Sequence, residues 1–512
     1  MRRCTSLVVK LELLLLLFLF VLTTSSSEGD FEQCESTVKK WASSSLDTEV
    51  KEDNHLLRDL LFFLHIPRTG GRTYFHCFLK KLYKSSLECP RSYDKLRFNP
   101  RKSDCRLLVT HDDYSMMSKL TKEKTSVVTI FRNPIDRVFS TYEFSIEVAA
   151  RFLVHPNLTS ALAIDRRLRS RTKGVSTLNI WPWKYLVPWM REDLFKRRDA
   201  KKLKGLIEIT SNDSYNMEDV VMPLHQYIND PTAVDIIHNG ATFQIAGLTN
   251  NSYLSASHEV RHCVLKFRTL GQHVLDIAKK RLDDMLYVGL TENHEESASM
   301  FADVVGAQVI SQFTPPIVLE RNSVDHSSSL EDFGPDSHHD GSNSSLPEPS
   351  KSYPIEKVTT GKLIKAYQSC ITSLRKTQTE RRISSLKRIF PANFTKEARL
   401  QVPQELLQEI ASLNSLDMEL YTYAKGIFLN QHKRVAQVKD AIDKPGKVSQ
   451  KAARELKISN SETYVEMPES ELKISYGDIS WKVLLLITST LLLLVFVLLY
   501  VNAKGRTPKV KL

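Results

Sequence analysis

Four signatures are missing from the 512 residues, and each absence narrows what the chain can do. No Gly-x4-Gly-Lys-Ser/Thr loop occurs, so a Walker-type phosphate site is excluded, and the kinase lysine motifs are missing with it. The seven cysteines include no Cys-x-x-Cys and no zinc-ligand spacing, which leaves no expected metal site. No stretch repeats, so the chain is not an array. Acidic residues are outnumbered, 59 against 71 basic, and the formal net charge of +12 suits a phosphorylated or acidic partner without saying which.

The two ends carry targeting patterns. Arg2 and Arg3 precede an apolar run from Leu13 to Leu22, followed by small polar residues to Ser27. That is the pattern of a secretory signal over 1–27, and its apolar run is short for a membrane span. Val483 to Val501 is 19 residues without a charge, followed by Lys504, Arg506, Lys509 and Lys511. This stretch is expected to cross a bilayer at 483–501 and to leave a basic cytosolic tail, 502–512. The combination predicts a type I membrane protein with its bulk in a secretory lumen. Six cysteines remain after the signal, and in an oxidising lumen they allow fifteen pairings among which sequence does not choose. Five Asn-x-Ser/Thr sequons, at Asn157, Asn212, Asn250, Asn343 and Asn393, fit a glycosylated domain. Between the ends we expect a polar lead-in (28–58), a catalytic domain (59–432) with a flexible Ser/Asp/His/Pro-rich insertion (323–354), and a charged stalk (433–480).

The domain is organised around Leu60-Leu-Phe-Phe-Leu-His-Ile-Pro-Arg-Thr-Gly-Gly-Arg-Thr-Tyr-Phe75. Leu60 to Leu64 suits a buried parallel strand. Thr69, Gly70 and Gly71 then form a loop whose backbone amides can close around an anion at the start of a helix predicted over Tyr74 to Lys84. Arg68 and Arg72 add positive charge, and Thr69 and Thr73 add hydroxyls. Alone, Thr-Gly-Gly is more often an ordinary turn. Two further strand-and-tip segments shift that balance. Cys105 to Thr110 delivers His111-Asp-Asp-Tyr114 to its carboxyl end, where open α/β sheets bind ligands. Ser126 to Phe131 leads into Arg132, with Asn133 a good helix cap and Pro134 in the first helical turn. Ser140 then lies about two turns into that helix, so a guanidinium and a hydroxyl can converge on a second anion. The expected fold is therefore α/β, a central parallel sheet flanked by helices.

Taken together, His65-Ile-Pro-Arg-Thr-Gly-Gly, Thr110-His-Asp-Asp-Tyr and Thr129-Ile-Phe-Arg-Asn-Pro-x-x-Arg-x-x-Ser140 resemble the phosphosulfate loop, base segment and 3′-phosphate segment of Golgi sulfotransferases. The catalytic domain is similar to the heparan sulfate 6-O-sulfotransferases. Gly289-Leu-Thr-Glu292 and Leu413-Asn-Ser-Leu-Asp-Met-Glu-Leu-Tyr-Thr-Tyr-Ala-Lys425 extend the likeness to a last core strand and a closing helix. The resemblance implies a P-loop-like sulfotransferase fold and 3′-phosphoadenylyl sulfate (PAPS) as sulfuryl donor, with no metal and no nucleic acid. It would place Arg68, Thr69, Gly70, Gly71, Arg72 and Thr73 around the 5′-phosphosulfate, and Arg132 with Ser140 on the 3′-phosphate. His111 would be the general base, Arg68 would offset charge on the leaving oxygen, and Asp113 would orient the imidazole.

One departure bears on proton donation and three bear on the acceptor. Arg68 stands where the family commonly has Lys, and a guanidinium is a poor proton donor. The family's His-Ala-Asp-Trp is here His111-Asp-Asp-Tyr114, and the stretch Arg72 to Cys77 also differs. The signal and carboxyl-terminal span differ from the amino-terminal anchor of the sugar enzymes. This arrangement resembles the plant tyrosylprotein sulfotransferases, type I Golgi membrane enzymes that sulfate tyrosines beside acidic residues in secreted peptide precursors. The basic tracts Arg166–Lys173 and Lys196–Lys204 would suit such an acceptor or be solvated helix surface, and Trp181, Trp183 and Trp189 would wall a groove or be core. The alternatives are a glycan O-sulfotransferase with the same site, and a non-catalytic type I receptor or cargo protein. The last predicts loss of His111, Arg132 or Ser140 and a longer tail, neither of which is found.

Overall fold

The three apolar runs become three neighbouring strands in the computed structural model of the chain. It describes residues 29–46, 55–90, 98–100, 103–172, 176–204, 213–215, 217–313, 359–389, 392 and 394–443. The expected signal, flexible insertion, membrane span and tail lie outside these residues, as does the stalk beyond 443. Among the described residues no helix is long and apolar enough to cross a membrane.

β1 (Leu60–Leu64) lies between β2 (Leu107–Thr110) and β3 (Thr125–Phe131), and β4 (Tyr287–Leu290) pairs with the far side of β3. All three pairings are parallel. Leu61 to Leu64 are wholly buried, the condition that a continuous apolar run satisfies inside a parallel sheet. Because the strands run the same way, the residues that follow them all emerge at one edge. β2 starts two residues later than expected. Cys105 is drawn aside by its disulfide to Cys89, and Arg106 N–H bonds Leu87 O at 2.7 Å.

After β1 the chain turns at Gly70, in the left-handed region at φ 84°, into α1 (Gly71–Tyr74). The helical run continues as a π segment, Phe75–Leu79, and a last α turn, Lys80–Leu82. It therefore begins three residues earlier than the apolar spacing suggests, since the glycine supplies the break. After β3, Asn133 Oδ1 accepts from Ile135 N–H (3.0 Å) and Asp136 N–H (3.4 Å), and Pro134 opens α2 (Pro134–Arg151) as expected.

α2 backs onto α3 (Trp183–Lys204), and the two build a second apolar core beside the one that surrounds the sheet. Trp181 and Trp183 are buried in that second core and Trp189 packs against it, so the tryptophans are core. Lys196 and Arg198 pair with Glu192 and Asp199 on a solvated helix face, while Arg197 is partly buried in its pair with Asp193. Next come α4 (Gly240–Ile245), α5 (Gly271–Asp283), α6 (Thr360–Leu386) and the closing helix α7 (Ser415–Asp443). α7 runs past residue 432, so the first residues of the expected stalk are helical. The described residues up to Asp440 belong to one compact unit.

Of the fifteen possible pairings the structure selects Cys34–Cys263, Cys77–Cys370 and Cys89–Cys105. A buried ion pair ties the unit together non-covalently. Arg137 Nη2 on α2 donates to Asp417 Oδ2 on α7 at 2.8 Å, and both side chains are about fully buried. Asp417 also accepts from Thr242 N–H (2.7 Å), Thr242 Oγ1 (2.7 Å) and Ala241 N–H (3.2 Å), and so caps the start of α4. Removing one partner leaves a buried charge and orphaned amides. Asp417→Ala should therefore cost about 3–5 kcal/mol, read as a lowered thermal midpoint. Lys279→Ala, which removes the half-exposed pair with Glu419 and a cation–π contact with Tyr423, should cost only about 1 kcal/mol.

Candidate active site

The four strand tips carry the candidate residues. Arg68 has φ 70°, a left-handed backbone that residues with a Cβ rarely adopt, and such strain is kept where surrounding contacts over-determine it. Its carbonyl accepts from Arg132 Nη1 at 3.3 Å, its Nε donates to Ser140 Oγ at 2.9 Å, and its guanidinium lies 4.3 Å from the Phe144 ring centre. Arg68, Arg132 and Ser140, which the sequence reading divides between two anion sites, are thus in direct contact. Burial, reinforced by Arg132, pulls the Arg68 pKa down to about 10, against the opposing pull of Glu147 and Glu143, so it stays cationic at neutral pH.

The glycine loop next to it is built for close approach. Thr69 Oγ1 donates to Ile66 O (2.9 Å), and Thr73 N–H bonds Gly70 O (2.9 Å). Gly70 has no side chain to cap the amides that open α1, and a Cβ on Gly71 would stand 2.2 Å from His65 Cδ2. Arg72 is exposed beside the loop. Thr291, at the tip of β4, fixes the loop from the other side. Its Oγ1 reaches Thr69 O (2.7 Å) and Phe131 O (2.9 Å). Glu292 accepts from Asn133 N–H (2.8 Å) and from Tyr421 OH on α7 (2.9 Å).

Two histidines face each other across the tips of β1 and β2. The rings of His65 and His111 have centroids 4.3 Å apart. Burial lowers the His65 pKa to about 3, helped by Arg68, and burial with His65 beside it holds His111 well below the ordinary range. A neutral imidazole is the form that accepts a proton. His65 is part of a quoted motif but was given no role by sequence. Its signal is its position directly after β1. Gln244, also unassigned by sequence, donates from Nε2 to His111 O at 2.8 Å and His65 O at 3.2 Å.

Asp113 does not orient the imidazole. Its carboxylate accepts from Ser115 N–H and Oγ and from Thr249 N–H (2.9 Å) and Oγ1 (2.7 Å), bracing the turn after β2. Burial raises its pKa against those hydrogen bonds. On the α2 side Glu143 collects Arg399 (2.7 and 2.8 Å), Arg382 (3.1 Å) and Tyr215 OH (2.6 Å). Burial works against its ionisation, but the bonds and charges of Arg399 and Arg382 outweigh it and hold Glu143 below the usual carboxylate range. The edge as a whole offers fixed cations, a glycine-lined amide loop and a neutral base, with no His/Cys/Asp/Glu cluster suited to a metal among the described residues.

Two comparisons bear on this arrangement. The sulfotransferase-domain family profile matches residues 18–184, which include β1, β2, β3 and α2. A protein-tyrosine sulfotransferase of Arabidopsis thaliana is 55% identical over 499 residues, 95% of this chain and 96% of that protein.

Two outcomes follow from the geometry. Gly71→Ala should displace the His65 ring and weaken binding of adenosine 3′,5′-bisphosphate about tenfold or more, measured by calorimetric titration. Between pH 6.5 and about 3 the unfolded chain takes up a proton that folded His65 refuses, and below pH 6.5 His111, held well under the ordinary range, refuses another. Stability should then fall with acidification by roughly 1.4 kcal/mol per pH unit for each such histidine, and the slope of denaturation free energy against pH should lessen in His65→Asn.

Proposed function

Because the chain belongs to the protein-tyrosine sulfotransferases, we propose that it transfers the sulfuryl group of PAPS to tyrosine hydroxyls of secreted peptide and protein precursors with acidic residues near the tyrosine. The observation that carries the reading is the convergence at one sheet edge of Arg68 on Ser140 and of His111 on His65. PAPS, when bound, supplies an activated sulfuryl group on a phosphate leaving group and a second anionic end. The amides from Thr69 to Thr73 would hold the phosphosulfate, and Arg132 with Ser140 the 3′-phosphate. Arg68 then supplies charge where the leaving oxygen becomes negative, and the fixed geometry spares reorganisation.

His111 accepts the phenol proton as the oxygen attacks. A phenol with pKa about 10 is easier to deprotonate than an alcohol, so a weakly basic, neutral histidine suffices. The excess of basic residues favours acceptors with acidic neighbours. We place the enzyme in the Golgi membrane as a single-pass type I protein with its catalytic domain luminal. Three disulfides support an oxidising compartment, and 483–501 would be the anchor.

The test offers radiolabelled PAPS with an Asp-Tyr peptide, its Tyr→Phe control and a heparan-type oligosaccharide in parallel. Label on the tyrosine peptide alone is expected, with kcat lowered about 10²- to 10⁴-fold in His111→Ala. Label on the oligosaccharide alone would move the acceptor to glycans, and transfer to neither would sink the assignment.

A further inference from the structure

A base can act only if it is held at a fixed distance from the donor loop, and in this fold the two lie on different strands. β1 and β2 pair regularly to Leu64 and Thr110, and His65 N–H still bonds Thr110 O at 3.0 Å. Beyond that point the strands part. β1 climbs into the glycine loop and β2 bends into the Asp113 turn. The carbonyls of His65, His111 and Asp112 are left at the parting, where the sheet ladder no longer supplies donors.

One side chain fills that gap. Gln244 is 1% exposed, and its Nε2 lies 2.8 Å from His111 O, 3.2 Å from His65 O and 3.4 Å from Asp112 O. Three carbonyl acceptors around one terminus require that terminus to be the NH2 group. The carboxamide thereby bridges the two strand ends from which both imidazoles project. Its own place is set from the donor side. Gln244 sits on α4, α4 is capped by Asp417, and Asp417 is paired with Arg137, one turn before Ser140 on α2.

We infer that Gln244 is a positioning residue for the transfer reaction, holding the His111 strand end in register with the strand that leads into the Arg68–Gly71 loop. The inference rests on the sulfotransferase reading above. Gln244 touches neither donor nor acceptor in this role; it acts through the backbone of the base. Its loss should therefore slow chemistry while leaving the donor site in working order. The loss should also depend on how much the acceptor needs a base.

The experiment compares the full-length wild type with Gln244→Met, which keeps the shape without donors, and Gln244→Glu, whose carboxylate would face three carbonyls. Acceptor peptides carry tyrosine or ring-fluorinated tyrosines of lower phenol pKa. A fall in kcat on the order of 100-fold is expected for the tyrosine peptide, with the dissociation constant for adenosine 3′,5′-bisphosphate unchanged. The deficit should shrink steadily as the phenol becomes more acidic. In Gln244→Glu, kcat should rise relative to wild type as pH falls, because protonation restores one donor. Unchanged kcat overturns the inference. So does an equal loss for every phenol, or a loss of bisphosphate affinity in step with kcat, either of which describes a purely structural residue. Wild-type protein that sulfates no tyrosine peptide sinks the sulfotransferase reading itself, a result separable from wild-type activity that both substitutions leave intact.

Discussion

The buried pair of Arg137 and Asp417 is the contact on which the remaining geometry hangs. Its partners come from positions 280 residues apart in the chain. Arg137 belongs to the helix that follows the central strand β3, and Asp417 to the helix that closes the domain. A salt bridge of this kind is poor evidence of net stability, because desolvating both charges offsets most of their attraction. Its value is directional. Asp417 spends its remaining lone pairs on the first amides of α4, so α4 has one permitted position relative to α2. Everything that α4 carries is then referenced to the helix that bears Ser140.

The charge arrangement around the strand tips follows a similar logic. Arg68 and Arg132 are brought close together, which is unfavourable in itself and adds to burial, the larger cause, in lowering the pKa of Arg68. Glu143 and Glu147 on α2 moderate the repulsion without pairing off the Arg68 guanidinium, which is instead stacked on Phe144 and bonded to Ser140. Glu143 is engaged by Arg382 and Arg399 from beyond residue 359. Glu143 is thus committed to Arg382 and Arg399, and the Arg68 guanidinium is left outside that carboxylate pairing. Electrostatic preorganisation of this type is worth most where the site is partly shielded from water.

Local chemistry made a good part of this legible. β1 was readable to the residue because a five-residue apolar run has few other uses next to a glycine turn. The Asn133 cap and Pro134 start of α2 were readable because capping is a matter of two or three adjacent residues. What failed to show were partnerships made across long stretches of chain. Gln244 is an ordinary polar residue in sequence, and its bonds to His65 and His111 span 179 and 133 positions. Asp113 sits two residues after His111 and invited an orienting role, yet Thr249, from far along the chain, claims one of its oxygens. The tryptophans read equally well as groove or core, and only their packing against α2 decides it. Disulfide pairing was open for the same reason.

The Cys77–Cys370 bridge joins the helical run after the glycine loop to α6, across 293 positions. The other two disulfides both lie wholly before residue 313. A break in the chain anywhere between 313 and 359 would therefore yield two polypeptides still covalently joined, one bearing Arg68, His111, Arg132 and Ser140, the other bearing Asp417. Lengthening the same stretch adds only a logarithmic closure cost. The bridge thus does the work of the backbone between residues 313 and 359, holding the run after the glycine loop against α6.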